Sequence, residues 1–290
     1  VPDVSGARFE DEEVTGTAKL TYYWTPDVMT YLSFGRGYKS GGTNVDRIDP
    51  SLTGSPLLFD PETSDAWEIG FKGDFFAKRL RVNGAVHRTD FENFQANTFV
   101  GTGFVLQNAG EIRSQGFELE VSALPTDWLT LATGVGYVDA QYESFLAGAC
   151  ITTPLSASPD RAQPNFPATC DNSGNRVAGT PEWTAYGSAR LEHYLANGTH
   201  AYAQADLNWN DDNPGGNDGD VNKIADAYML ANLRIGYRFD SERYDVSLWA
   251  KNLLDENYGI GGFNSPAREG SLSGYLTEPR TWGVTLRASF

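Results

Sequence analysis

Along most of this chain, apolar and polar side chains alternate one for one. Met229, Ala231, Leu233, Ile235, Tyr237 and Phe239 are separated by Leu230, Asn232, Arg234, Gly236 and Arg238. Val246, Leu248 and Ala250 alternate with Asp245, Ser247, Trp249 and Lys251. Trp282, Val284, Leu286, Ala288 and Phe290 alternate with Thr281, Gly283, Thr285, Arg287 and Ser289. A period of two sends successive side chains to opposite faces of an extended strand, whereas a helical stripe needs a period of about 3.6. The same reading predicts eleven strands, at roughly 14–24, 28–38, 63–76, 79–92, 104–123, 128–139, 182–194, 199–210, 226–239, 243–252 and 279–290. Many are longer than the usual globular strand. The stretch 104–123 reads either as one strand or as two pieces broken near Gly110.

The connections alternate as well. Thr25-Pro26-Asp27, Ala77-Lys78, Leu124-Pro125-Thr126-Asp127, Ala196-Asn197-Gly198 and Asp240-Ser241-Glu242 are tight turns. Those between them are long, at about 39–62, 93–103, 140–181, 211–225 and 253–278. A soluble sandwich has no general reason to put all its long loops on one edge. A membrane barrel does, with short periplasmic turns and long extracellular loops. The expected fold is therefore all-β, an antiparallel membrane β-barrel. The absence of a run of about 18 apolar residues excludes only a membrane-spanning helix.

Charge fits this placement. Glu68, Lys72, Glu118, Glu120, Arg234, Arg238, Lys251 and Arg287 fall on faces expected to point inward. There they avoid the cost of about 2–4 kcal/mol that Arg or Lys meets in mid-membrane lipid. Tyr22, Tyr23, Trp24, Trp128, Tyr237, Phe239, Tyr244 and Phe290 collect near strand ends, as headgroup-level girdles do. The formal net charge of -16 repels polyphosphates, so no nucleic-acid partner is expected. A hydrophobic share of 40 % is too high for a disordered acidic chain.

Cys150 and Cys170 lie in one Pro/Asn/Ser-rich stretch and read as a disulfide of an oxidising compartment. A metal site has no further His or Cys nearby to complete it, and two unpaired loop cysteines are the plain alternative. The chain opens Val1-Pro2-Asp3, which reads as a mature or partial product.

Four segments together resemble the barrel of TonB-dependent outer-membrane receptors, siderophore receptors in particular. The first is Tyr31 to Gly42, a strand leading into Gly37-Tyr38-Lys39-Ser40-Gly41-Gly42. The second joins Pro61-Glu62-Thr63 to Trp67-Glu68-Ile69-Gly70-Phe71-Lys72. The third is Asn108-Ala109-Gly110 followed by Gly116-Phe117-Glu118-Leu119-Glu120. The fourth is Lys251-Asn252-Leu253-Leu254-Asp255-Glu256-Asn257-Tyr258 with Glu278-Pro279-Arg280-Thr281-Trp282 and Phe290; Leu254 stands where the family's motif has an aromatic residue. The resemblance runs over essentially the whole chain. It implies a plugged barrel of about 22 strands, with residues 1–290 as its C-terminal part. The plug, the first barrel half and the region contacting the TonB complex would lie outside this chain. It also implies energy-dependent uptake of a bulky scarce solute, most often an iron–siderophore complex, at the Gram-negative outer membrane. Carbohydrate, cobalamin and haem are the other solutes of that architecture; haem is disfavoured because the long loops hold no His.

Nothing in the chain reads as an active site, and no cofactor is expected. His87, His193 and His200 lie on separate strands without ligand spacing. Gly35-Arg36-Gly37 sits at a strand end, where small residues are commonly structural. Asn197-Gly198-Thr199 matches a glycosylation acceptor, but turn chemistry explains it better. The run Asp211 to Asp220 is rich in oxygen ligands without EF-hand spacing, which leaves Asp218 and Asp220 as weak calcium candidates against a solvated acidic loop. A solute-binding surface belongs on the long-loop side. Its candidates mix aromatic area with amides and charges. They are Arg36, Tyr38, Lys39 and Asn44 in the first long loop region, and Phe94, Gln95, Asn97, Gln107 and Asn108 in the second. Further along come Tyr137, Asp139 and Tyr142, then Trp209 and Asn210, then Asn264 and Tyr275. Wall and girdle packing is the competing role for each. The rival functions are a passive porin, which needs an open interior, and a surface β-rich binding protein using the loops adhesively.

Overall fold

The computed structural model describes residues 9–44, 58–100, 103–146, 148–151, 170–195, 198–239, 243–265 and 271–289. Its elements begin with β1 (Gly16–Thr25), β2 (Val28–Lys39), β3 (Gly42–Thr43), β4 (Leu58–Phe59), β5 (Glu62–Phe75) and β6 (Leu80–Glu92). They continue with β7 (Gln95–Val100), β8 (Gly103–Asn108), β9 (Glu111–Thr126), β10 (Leu129–Ser144), β11 (Trp183–Tyr194) and β12 (His200–Asn210). After β13 (Asn213–Pro214) come a 3-10 turn (Val221–Lys223), β14 (Ile224–Ala225), β15 (Tyr228–Phe239) and β16 (Tyr244–Lys251). A hairpin of β17 (Gly259–Asn264) and β18 (Leu272–Leu276) leads to β19 (Thr281–Ala288).

The eleven long strands form one antiparallel sheet in the order β1-β2-β5-β6-β9-β10-β11-β12-β15-β16-β19. Each wall strand therefore pairs with the next wall strand in the chain, as a meander must. The remaining short strands form four two-stranded hairpins, all at the long-loop end. The stretch 104–123 is two pieces. Gly110, with φ of +96°, breaks it; 103–108 turns back on 95–100 as a loop hairpin, and only β9 crosses the wall. The connection at 93–103 is thus largely strand. The strand expected to stop at 139 runs on to Ser144, because β9 supplies backbone partners up to Glu111.

Register sorts the two faces. One outward row runs Leu20, Leu32, Ile69, Val86, Phe117, Tyr137 and Trp183 across β1, β2, β5, β6, β9, β10 and β11. Another runs Leu129, Leu191, Ala203, Ile235, Leu248 and Val284 across the rest. Ile69, Val86, Ile235, Leu248 and Val284 are each more than half exposed. A continuous apolar exterior of this extent is stable against lipid and not against water. The eight charged residues expected inside all lie on the opposite face. Aromatic pairs mark both rims of the apolar band: Tyr22 with Trp24 (4.7 Å) and Phe239 with Tyr244 (5.3 Å) below, Phe34 with Trp67 (4.6 Å) and Tyr137 with Trp183 (4.8 Å) above. Tyr23 departs from the girdle expectation, since it pairs with Met29 on the inner face. Phe290 lies outside the described residues.

Candidate functional site

The apolar core of the described residues is not beneath the sheet but among the loops above it. Ala96, Ala109, Ile112, Tyr142 and Phe145 are buried together, with Phe91, Phe94 and Val177 packed against them. Burying these side chains sets the β7–β8 hairpin over the upper wall. Amides then staple the neighbouring loops. Gln95, only 5 % exposed, donates to the carbonyls of Ser40 (2.9 Å) and Asp60 (3.1 Å). Asn44 exchanges two hydrogen bonds with the backbone of Leu106, at 2.7 and 3.0 Å. Asn108 donates to the carbonyls of Asp60 (2.9 Å) and Asn93 (2.7 Å) and accepts from the Asp60 N–H (2.8 Å).

The next loop carries the Cys150–Cys170 disulfide, which closes 20 residues of chain. Gly148 and Cys170 exchange backbone hydrogen bonds at 2.9 Å beside it. Phe145 donates its N–H to the Ser173 hydroxyl at 2.9 Å, and its carbonyl accepts from the Asn172 N–H at 2.8 Å. Ser173 also holds the Asp171 carboxyl below the usual carboxylate range, through its hydroxyl first and its N–H second. Cross-linking removes loop entropy from the unfolded chain, about 3 kcal/mol for a loop of this order. Cys150→Ser with Cys170→Ser is expected to leave the wall assembled while protease nicks the 145–173 region at least tenfold faster. An unchanged nicking rate would show that packing alone holds the loop.

Arg176 joins this loop to the following one. Its guanidinium reaches Asp212 Oδ1 (2.5 Å), the Asp212 carbonyl (3.1 Å) and Glu182 (3.4 Å). Gly179 N–H donates to the Pro214 carbonyl at 2.9 Å. Within 211–225, Lys223 is 5 % exposed and ion-paired with buried Asp218. Asp220 caps the 3-10 turn by accepting the Asn222 N–H at 3.0 Å. Both weak calcium candidates thus have other work, and Lys223 supplies the positive charge that Asp218 needs. No group of three or more His, Cys, Asp or Glu with metal-site geometry occurs among the described residues. Arg176→Ala removes a charged donor shared by two loops, a loss of roughly 1–2 kcal/mol after allowance for partial exposure. Amide exchange at 211–217 is expected to quicken about tenfold while the wall strands keep their protection. Equal quickening everywhere would place Arg176 in global stability instead.

The candidates for solute contact divide by face. Arg36, Tyr38, Tyr137, Asp139 and Trp209 sit in the outward rows, sharing parity with Phe34, Val135 and Leu207. Arg36 pairs with Glu13 (3.1 Å) and Asp65 (3.3 Å), and the Tyr38 hydroxyl bonds to Asp11, outside the wall. Tyr142 and Phe94 belong to the loop core, and Asn44, Gln95 and Asn108 are the staples already described. Lys39 and Asn210 face inward at the upper rim, with Lys39 3.9 Å from Glu62. Gln107 lies on the hairpin opposite Ala96, and Tyr275 on β18 packs against Phe263 at 5.4 Å. Asn97 and Asn264 lie on β7 and β17, and their side chains fall outside the described residues. Sequence reading missed one rim feature. Tyr228, paired with Asn210, stacks on Tyr258 with ring centroids 3.7 Å apart and planes at 17°. Tyr228 follows the 211–225 loop and Tyr258 ends the fourth family-like segment inside the 253–278 loop, but neither signal pairs the two rings.

An eleven-strand meander with an apolar exterior, a charged interior face and all its long loops at one end is the wall of an outer-membrane β-barrel. The TonB dependent receptor-like β-barrel model matches residues 2–253, and the chain belongs to that family. It is 29 % identical over 167 residues to a probable TonB-dependent siderophore receptor, PiuA, of Acinetobacter baumannii, covering 56 % of this chain and 22 % of that protein. It is 26 % identical over 282 residues to the ferric-pyoverdine M114 receptor PbuA of Pseudomonas sp. strain M114, covering 97 % of this chain and 30 % of that protein. The ferric yersiniabactin uptake receptor FyuA of Yersinia pestis has the same fold, with a TM-score of 0.75 at 20 % identity over 97 % of this chain and 38 % of that one. The chain therefore spans less than a third of these two curated relatives. The family places it in the Gram-negative outer membrane.

Proposed function

We propose that residues 1–290 form the C-terminal part of a plugged barrel that takes up an iron–siderophore complex by an energy-dependent step. The plug, the first barrel half and the segment contacting the TonB complex lie outside this chain in this reading. The observation that carries it is the inequality of the two ends. One end has interlocked loops rich in aromatic and amide groups, and the other has little more than tight turns. Binding therefore belongs on the outside, before any movement inward. Family membership and the siderophore-receptor relatives support the choice of cargo. Solute contact is assigned to Lys39, Gln107, Asn210 and Tyr275 among the sequence candidates, joined by the Tyr228–Tyr258 pair. The protein is read as a transporter and not an enzyme.

Cells carrying the full gene test this. Ferric chelates should bind with or without proton-motive force, because contacts at the mouth precede transport. Accumulation should stop when the force is collapsed. Accumulation that persists would favour a porin. Saturable binding of an oligosaccharide, with none of a ferric chelate, would keep the receptor and discard the siderophore.

A further inference from the structure

The interior face is divided by charge. On β5, β6 and β9 it carries Glu62, Glu68, Asp74, Glu118 and Glu120 against Lys72 and Arg81, five carboxylates to two cations. On β15, β16 and β19 it carries Arg234, Arg238, Lys251 and Arg287 against Asp245, four cations to one carboxylate. A net positive stripe is notable in a chain whose formal charge is -16. Its one carboxylate is occupied. Asp245 is 9 % exposed, accepts from Arg238 at 2.8 Å, and takes the Tyr202 hydroxyl at 3.1 and 3.2 Å from its two oxygens. Arg234 donates to the Ser247 hydroxyl at 3.1 Å instead of to a carboxylate. Lys251 lies 5.9 Å from the Trp249 ring. Among the described residues, Arg234, Lys251 and Arg287 stand in no ion pair.

The stripe has a direction. Arg238, Asp245 and Arg287 are level near the tight-turn end, Arg234 is level with Trp249, and Lys251 is level with Thr281 at the loop end. At about 3.4 Å per residue, four residues of β15 separate Arg238 from Arg234 by roughly 14 Å, and Lys251 stands roughly 7 Å above Trp249. The step from Arg234 to Lys251 is comparable to the screening length of about 8 Å at physiological salt, so those two fields meet, while Arg238 lies beyond that length from Arg234. Spaced cations along a passage favour anions while holding none too tightly to leave.

We propose that this stripe guides an anionic metal chelate along the β15–β16–β19 side of the interior after the mouth has bound it. The inference rests on the uptake reading above, and adds the charge class of the cargo and the side of the wall that it follows.

The test uses the full-length receptor in cells. It compares Arg234→Gln with Lys251→Gln as a double variant, and Arg234→Lys with Lys251→Arg as the charge-keeping control. The probes are radioactive iron in a trianionic tris-catecholate and in a neutral tris-hydroxamate. Binding is read on de-energised cells and uptake on energised ones. The wild type is expected to take up the anionic chelate. The Gln variant should bind it with unchanged affinity and import it at least fivefold more slowly, and the control should retain most of the rate. If the double variant fails to reach the surface, Arg287→Gln alone should give the same split between binding and uptake. Import of the neutral chelate alone, or an import rate indifferent to the Gln variant, overturns the proposal. So does leakage of small hydrophilic antibiotics into Gln-variant cells, which would mean that the stripe holds an acidic face of the plug. Failure of the wild type to bind either chelate would remove the uptake reading and this inference with it.

Discussion

Leu233→Arg is expected to abolish most assembly of the full-length protein refolded into lipid vesicles, while Asn232→Arg leaves most of it intact. The two residues are adjacent near the middle of β15, so depth and strand are held constant. Leu233 pairs with Ala205 and Ala250 in the outward rows, and a guanidinium there meets hydrocarbon at a cost of about 2–4 kcal/mol. Asn232 pairs with Asp206 on the inner face, where an added cation gains an opposite charge. Its replacement is not free, because Asn232 Oδ1 accepts the N–H of Asn252 at 3.0 Å. That lost hydrogen bond costs about 1 kcal/mol, well short of the lipid penalty. Folded fraction by electrophoretic mobility is the readout. Equal losses from both substitutions would show that the faces have been assigned the wrong way round or that neither meets lipid.

The second large effect concerns backbone contact. A Cβ placed on Gly116 would stand 1.9 Å from the carbonyl oxygen of Tyr137 and 2.9 Å from its carbonyl carbon. Those atoms belong to the β9–β10 ladder, so relief requires two wall strands to part. Gly187, on the outward face of β11, has nothing within 4 Å of the same position. Overpacking commonly costs about 1–3 kcal/mol, and a clash with ladder backbone belongs at the upper end of that range. Gly116→Ala should therefore lower the folded-to-unfolded ratio by roughly thirtyfold or more. Gly187→Ala should refold like the wild type. Indistinguishable behaviour of the two would mean that the β9–β10 spacing is looser than the described geometry.

Alternation and loop spacing were enough to read eleven strands, their order and their two faces, because each depends on the chain's own local geometry. Parity also carried more than was first taken from it. Arg36 and Tyr38 continue the row of Leu32 and Phe34, Asp139 continues that of Val135 and Tyr137, and Trp209 that of Leu207. Their outward placement was therefore already legible, although their chemistry suggested the mouth. The fold followed from these local regularities, and the family from the four motif segments that resemble it.

What the loops do could not be read in that way. An Asn or Gln able to hold a polar solute is equally able to hold a carbonyl, and only proximity chooses between them. Asn44 meets Leu106 and Gln95 meets Ser40 across more than fifty residues of chain. Asp218 reads from sequence as a weak cation ligand or a solvated loop residue, and folding places the Lys223 ammonium beside it. Gly110 became a break because Ala96 and Ala109 are buried with Tyr142 and Phe145, and β8 turns back on β7 instead of extending β9. Sequence by itself determined which side of the wall each strand residue faces, since a period of two is a property of the backbone. Tertiary structure alone decided which loop groups are consumed in holding the mouth together and which inward charges find an ion-pair partner among the described residues, since both depend on groups brought near by folding.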